Sequence, residues 1–193
     1  MDATVAVLAG GSSTRMGRTK ATVRIAGHAL ISYPIAAAQA AGLERFVVAK
    51  RGSELPEIYC PVVIEPDSPT HPLLGLVTAL GHRQGPVLAL ACDMAFIDEK
   101  LLAWLASHPS TTVVEAGGVL QPLLARYRIE DLPALEEALR REEPMQAAVA
   151  ALDPTVVPES DVARFGDPER LCFNVNTPED VEETERIFAS LRG

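Results

Sequence analysis

The 193-residue chain is predicted to fold as an α/β protein with a mostly parallel central sheet, and three observations lead there. Short apolar runs rich in β-branched residues recur along the chain. Segments with helical periodicity separate them. A glycine-rich, cationic loop follows the first apolar run directly, in the position where open α/β sheets bind ligands.

The elements follow in order. TVAVLAG (Thr4 to Gly10), RFVVAK (Arg45 to Lys50), PVVIE (Pro61 to Glu65) and PVLALAC (Pro86 to Cys92) read as central parallel strands buried on both faces. Between them, ALISYPIAAAQAA reads as a helix stopped by Gly42, with Pro34 either kinking it or marking a late start. LLGLVTALGHR is a second helix, and EKLLAWLASH, after Asp98, a third. TTVVEA and VLQPLLARY are strand-like and form either a hairpin or an extension of a mixed sheet. EDLPALEEALRREE and the stretch from Met145 to Leu152 read as helices. In the last helix Thr177 is the cap and Pro178 the first position, with Glu179 and Asp180 at the positive end. Val181, Thr184, Phe188 and Leu191 then share one face. No repeat, low-complexity tract or linker divides the chain, so one domain over residues 1–193 is expected, with right-handed crossovers.

Composition narrows the function. Hydrophobic residues make up 48% and charged residues 22%, as in ordinary soluble proteins. No apolar run approaches the roughly 18 residues of a membrane span, and no secretory leader is expected. Cys60, Cys92 and Cys172 are far apart and form no Cys-x-x-Cys pair, so free, mostly buried thiols in a reducing cytoplasm are expected. His28, His71, His82 and His108 are equally scattered. The net charge of −9 argues against a general nucleic-acid binder. Residues 1–27 nevertheless set Arg15, Arg18, Lys20 and Arg24 against Asp2 alone, a local charge of +3 on a chain carrying −12 elsewhere. Such a patch suits one small anion better than a long polyanion.

Three of the patch's four cations lie in LAGGSSTRMGRTK, Leu8 to Lys20, which also holds three glycines and no acid. Gly10 and Gly11 allow backbone N–H groups to converge on an anion, and Ser12, Ser13 and Thr14 add hydroxyl donors. Arg15 offers a fork and Lys20 a point charge to phosphate oxygens. The spacing fits neither a P-loop nor G-x-G-x-x-G, since five residues separate Gly11 from Gly17 and Arg18 follows. A surface loop with solvated cations is the alternative; the preceding strand and the lack of acids favour an anion cradle. Asp93, just past PVLALAC, is placed either to hold Mg2+ or to cap a turn or helix.

The loop resembles LAGG-x-S-x-RMG-x-x-K, the signature of the molybdenum cofactor guanylyltransferases, which belong to the nucleotidyltransferases of Rossmann-like three-layer fold. The resemblance implies Mg-dependent transfer of GMP from GTP to the terminal phosphate of molybdopterin, with release of pyrophosphate. It implies that Leu8, Ala9, Gly10, Gly11, Ser12 and Lys20 bind the nucleotide, and that Arg15, Lys20 and Asp93 carry catalysis. ACDMAFID matches the family's C-D-x-P, whose aspartate binds Mg2+, with Ala95 in place of proline. HPLLGLVTAL matches GPL-x-G-x-x-x-AL at Pro72, Leu73, Gly75, Ala79 and Leu80, and this brings Gly75 to the nucleotide. His71 replaces the usual glycine there and reads as an incidental surface residue. Asp67 in VVIEPDS aligns with an acidic nucleotide contact.

On the acceptor side, QPLLARY resembles QPL-x-A-x-Y and FNVNTPED the guanylyl branch, which implies acceptor contacts from Gln121, Pro122, Asn174 and Asn176. Ala49 stands where many relatives have asparagine, and EEPMQA (Glu142 to Ala147) where many have Gly-x-Arg. Gly10 favours guanine, because the cytidylyl branch has alanine at that position. The rival readings are a transferase using CTP or another phosphorylated acceptor, and a nucleotide-binding regulator without catalysis. The expected partners are small molecules, with neither nucleic acid nor membrane, and transient contacts with cofactor-biosynthesis proteins or recipient apoenzymes.

Overall fold

The computed structural model describes residues 3–10 and 19–191. The elements run β1 (Thr4–Leu8), a 3-10 turn (Lys20–Thr22), β2 (Arg24–Ile25), β3 (His28–Ala29), α1 (Ser32–Ala40), β4 (Arg45–Ala49), β5 (Val62–Ile64), α2 (Leu73–Arg83), β6 (Val87–Ala91) and α3 (Glu99–Ala106). They continue with β7 (Thr112–Ala116), β8 (Val119–Tyr127), a 3-10 turn (Ile129–Asp131), α4 (Leu132–Arg140), α5 (Met145–Ala150), β9 (Thr155–Val157), α6 (Glu159–Val162), α7 (Pro168–Leu171) and α8 (Pro178–Ser190).

Seven strands form one sheet in the order β5-β4-β1-β6-β8-β7-β9. β5, β4, β1 and β6 run parallel. β8 is antiparallel to both β6 and β7, so the two strand-like segments form a hairpin and extend the sheet at once. The result is the mostly parallel, Rossmann-like sheet expected from the sequence. Val5, Val7, Val47, Leu88 and Leu90 face Ile31, Leu101 and Leu105 on one side. Ala6, Leu8, Phe46, Val48, Val87 and Ala89 face Leu76, Leu80, Leu135 and Val149 on the other. Successive strand residues point to opposite faces, and helices cover both, which is why these strands are apolar at every position.

β5 departs from the expectation of a strand buried on both faces. It is the sheet edge, paired only with β4, and Val62 and Ile64 are exposed. Pro34 proves to mark a late start: α1 begins at Ser32, so the proline falls in the first turn, where its missing N–H has no helical partner to lose. Leu191 lies just past the last turn of α8 and is exposed rather than part of its apolar face. Cys92 is buried, whereas Cys60 and Cys172 are only half-buried. No helix among the described residues is long and apolar enough to cross a membrane.

A smaller apolar cluster joins the two-stranded β2–β3 hairpin to α8 through Ile25, Leu30, Ala95 and Val175. Phe188 stacks on both Tyr33 and Phe96, with ring centroids 5.0 Å apart in each pair. The Tyr33 hydroxyl donates to the Ile25 carbonyl at 2.6 Å, and the Ala26 N–H donates to Glu185 at 2.8 Å.

The Tyr127 hydroxyl, fully buried in β8, donates to the Pro122 carbonyl at 2.8 Å. Replacing it by Phe leaves that buried carbonyl without this donor. Tyr127→Phe is therefore expected to cost about 1–3 kcal/mol of stability, read as a lower urea midpoint with an unchanged slope.

Candidate active site

The order of strands reverses at β1: the chain leaves it for β4 and β5 and returns on its other side as β6. Chains diverge beyond the carboxyl ends of the two strands at such a point and leave a crevice. Leu8 is level with Ala91 across the pair, and the Cys92 N–H donates to the Leu8 carbonyl at 3.3 Å. A cleft of about 480 Å³ opens there. Leu8, Ala9, Gly10, Lys20, Gly75 and Asp93, all expected at the nucleotide, line it together. Gly11, Ser12 and Arg15 lie outside the described residues.

Asp93 is two residues past β6, and its side chain is 10% exposed. Oδ2 accepts from the Lys20 ammonium at 2.6 Å. Oδ1 is buried and has no hydrogen-bond partner among the described residues. Asp93 is not a helix cap, because Asp98 fills that role for α3 by accepting from the N–H groups of Lys100 and Leu101 at 2.8 and 3.1 Å. Lys20 also donates to Oδ1 of Asn176. One ammonium thus joins the end of β6 to the loop before α8.

A buried carboxylate oxygen with no partner among the described residues suits Mg2+. This ion takes one or two carboxylates and fills its shell with phosphate oxygens and water. Among the described residues no three His, Cys, Asp or Glu side chains converge as a closed metal cage. The thiol of Cys92 is pushed up to about 12, first by burial and then by the neighbouring Asp93 charge, with Lys20 opposing. It is not a nucleophile at neutral pH.

Past β5, the acid that lines the cleft is Glu65 rather than Asp67. β5 ends at Ile64, so Glu65 is the first residue past its carboxyl end, and it is 4% exposed. Asp67, two residues further on, does not line the cleft; its side chain is 71% exposed and accepts from Arg51 at 3.4 Å. The Glu65 carboxylate fills space that two glycines leave. A Cβ on Gly10 would stand 3.1 Å from both of its oxygens, and one on Gly75 3.2 Å from Oε2. Burial raises the Glu65 pKa, and Lys50, which also lines the cleft, partly offsets that.

The remaining expectations separate. His71 is no incidental surface residue: it lines the cleft, and its Nδ1 accepts the Leu73 N–H at the start of α2 at 3.2 Å. Gln121 and Pro122 do not line the cleft. The Gln121 amide donates to the Val119 carbonyl, and the Pro122 carbonyl serves Tyr127. Their neighbour Leu123 reaches the cleft instead, in the stretch where the β7–β8 register shifts. The EEPMQA segment contributes Met145. Asn174 turns back on its own loop and donates to the Cys172 carbonyl at 3.1 Å. The sequence carries one signal for Glu65: an acid at the end of an apolar strand run, close to the placement that singles out Asp93.

Over residues 5–156 the chain matches the model of the MobA-like NTP transferase domain. A probable molybdenum cofactor guanylyltransferase of Pelotomaculum thermopropionicum is 32% identical over 199 residues, covering 98% of this chain and 94% of that protein. A molybdenum cofactor guanylyltransferase of Pseudomonas putida is 31% identical over 181 residues, covering 86% of this chain and 94% of that protein. Molybdopterin-guanine dinucleotide biosynthesis protein A of Archaeoglobus fulgidus has a solved structure that shares the fold. Its TM-score is 0.82 at 22% identity, with 97% of this chain and 99% of that one covered.

Burial disfavours the ionised form of Glu65 in the folded chain alone, so its folded pKa lies above the unfolded one. The associated stability is full below the ordinary carboxylate pKa of about 4.3 and is lost as pH rises through the raised folded value. Glu65→Gln removes that loss. The variant is expected to melt above the unmutated protein at pH 8 and level with it near pH 4, as thermal scans across that range will show.

Proposed function

The chain belongs to the MobA-like NTP transferase family, and from that premise we propose that it transfers GMP from GTP to the terminal phosphate of molybdopterin, with release of pyrophosphate. The observation that carries the proposal is the Lys20–Asp93 pair at the mouth of β1 and β6, with the other Asp93 oxygen unpartnered among the described residues. Nucleotidyl transfer asks for positioning and charge neutralisation more than for covalent help. The glycine loop, with Arg15 and Lys20, holds the triphosphate. The acceptor phosphate is already ionised near neutral pH and attacks the α-phosphorus; the bond to the β-phosphate oxygen breaks, and pyrophosphate departs. No general base is required. Mg2+, when bound, would be held by Asp93 through Oδ1 and would shield the phosphate charge.

Glu65 supplies the reason for guanine. Guanine presents two adjacent donors, N1–H and N2–H2, and an ionised carboxylate is acceptor-only and accepts both. Cytosine presents a single amino donor beside acceptors. Gly10 and Gly75 keep the space that this carboxylate occupies, and an alanine at either position would crowd it. The acceptor side of the cleft is assigned to the wall of Leu123 and Met145. The reaction is placed in the cytoplasm, with transient contacts to cofactor-biosynthesis proteins or recipient apoenzymes.

Pyrophosphate release with GTP, Mg2+ and molybdopterin tests the reading. Asp93→Ala is expected to lower kcat by about 100-fold or more while circular dichroism is unchanged. Tighter binding of CTP than of GTP would sink the guanine assignment. Glu65→Gln is expected to erode the preference for GTP over CTP by about ten-fold or more in the same titration.

A further inference from the structure

We infer that Asp180, on α8, is a positioning residue for the active-site ammonium. The kinetic consequence of this inference rests on the guanylyl-transfer reading. Asp180 is the third residue of the helix that Thr177 caps. In a capping box the acid reaches back to the N–H of the cap residue, and here it does so at 2.8 Å, while the Asp180 N–H donates to the Thr177 hydroxyl at 3.2 Å. The same Asp180 oxygen takes a second N–H that an ordinary capping box does not require, that of Asn176 at 2.7 Å.

Asn176 is the residue whose side-chain oxygen receives Lys20. Its own amide donates to the Asn174 carbonyl at 3.0 Å, which fixes which end of the amide faces the ammonium. The loop is also tied to the cleft floor, where the Val175 N–H donates to the Asp93 carbonyl at 3.1 Å. A line of contacts therefore runs from Asp180 through the Asn176 backbone and side chain to Lys20, and on to Asp93. Lys20 carries a flexible four-carbon stem, and a lysine ammonium has no fixed geometry of its own. With Asn176 loosened, Asp93 would be its one remaining partner among the described residues. α8 is a suitable anchor, because Phe188 is wedged between Tyr33 and Phe96 and Glu185 grips the β2–β3 hairpin.

The test separates positioning from helix stability. Asp180→Ala removes both back-bonds; Thr177→Ala removes the other half of the capping box and leaves the Asn176 contact in place. Both are expected to lower Tm to a similar degree. Only Asp180→Ala should lower kcat, by about ten-fold, with a smaller change in KM for GTP. Asp180→Asn, which keeps an acceptor oxygen, should recover most of the loss. A second measurement needs no substrate: acylation of Lys20 by an amine-reactive ester in the unliganded protein, followed by mass spectrometry. Asp180→Ala should raise its rate several-fold and Thr177→Ala should not. Equal acylation rates, or equal losses of kcat in the two variants, would overturn the inference. If the unmutated protein releases no pyrophosphate with GTP or CTP, the transferase reading falls, and the acylation rates still decide the role of Asp180.

Discussion

Parallel pairing of β1 with β6, with Leu8 level with Ala91, is the constraint on which the cleft depends. It holds two strand ends, distant in sequence, at the same depth in the sheet. Ala9 and Gly10 after β1 and Asp93 after β6 then emerge side by side, where the strand order reverses. Both strands are buried on both faces, so neither can slip in register without moving apolar side chains into the wrong layer. The rigidity of the charged site is thus inherited from an apolar sheet.

Two acids in this cleft are held by opposite means. Asp93 sits against a cation: Lys20 satisfies one oxygen and leaves the other open. Glu65 has, among the described residues, a neighbouring lysine to offset its burial, and it sits in the room that Gly10 and Gly75 leave beside it. A nearly buried ion pair is poor evidence of stability, since desolvation offsets much of its attraction. An ionised carboxylate at a burial-raised pKa costs stability outright. Both arrangements make sense as binding chemistry: in the proposed reaction Asp93 would face the reacting phosphates and Glu65 a donor-rich base edge. The family model spans residues 5–156, yet the cation between these walls is also held by Asn176, which lies beyond it. The segment after β9 is therefore part of the site as well as a cover for the hairpin.

The strands that lie inside the sheet were legible because burial on two faces leaves a run of apolar residues, and so was the capped start of α8. β5 was legible as a strand but not as an edge, since its apolar letters are the same whether one neighbour or two pair with it. The two-residue strands β2 and β3 carry no period long enough to read. At the site, Gly10, Lys20, Gly75 and Asp93 were named from their motifs and do converge. Alignment of the motif points to Asp67, and the structure puts Glu65 in the cleft. The difference turns on where β5 ends, because a shift of two residues carries a side chain from the cleft to the rim.

By itself the sequence determined the α/β class, the strand–loop–helix order, the cationic glycine loop and the acid that follows β6. These are local properties, written in periodicity and in the chemistry of neighbouring residues. Only the tertiary structure decided that Lys20 bridges Asp93 and Asn176, that Glu65 fills the space beside two glycines, and that His71, Leu123 and Met145 face the cleft. The reason is geometric: each of these facts joins residues from different strands or helices, and the distance between them is set by strand order and helix packing, which no single stretch of sequence encodes.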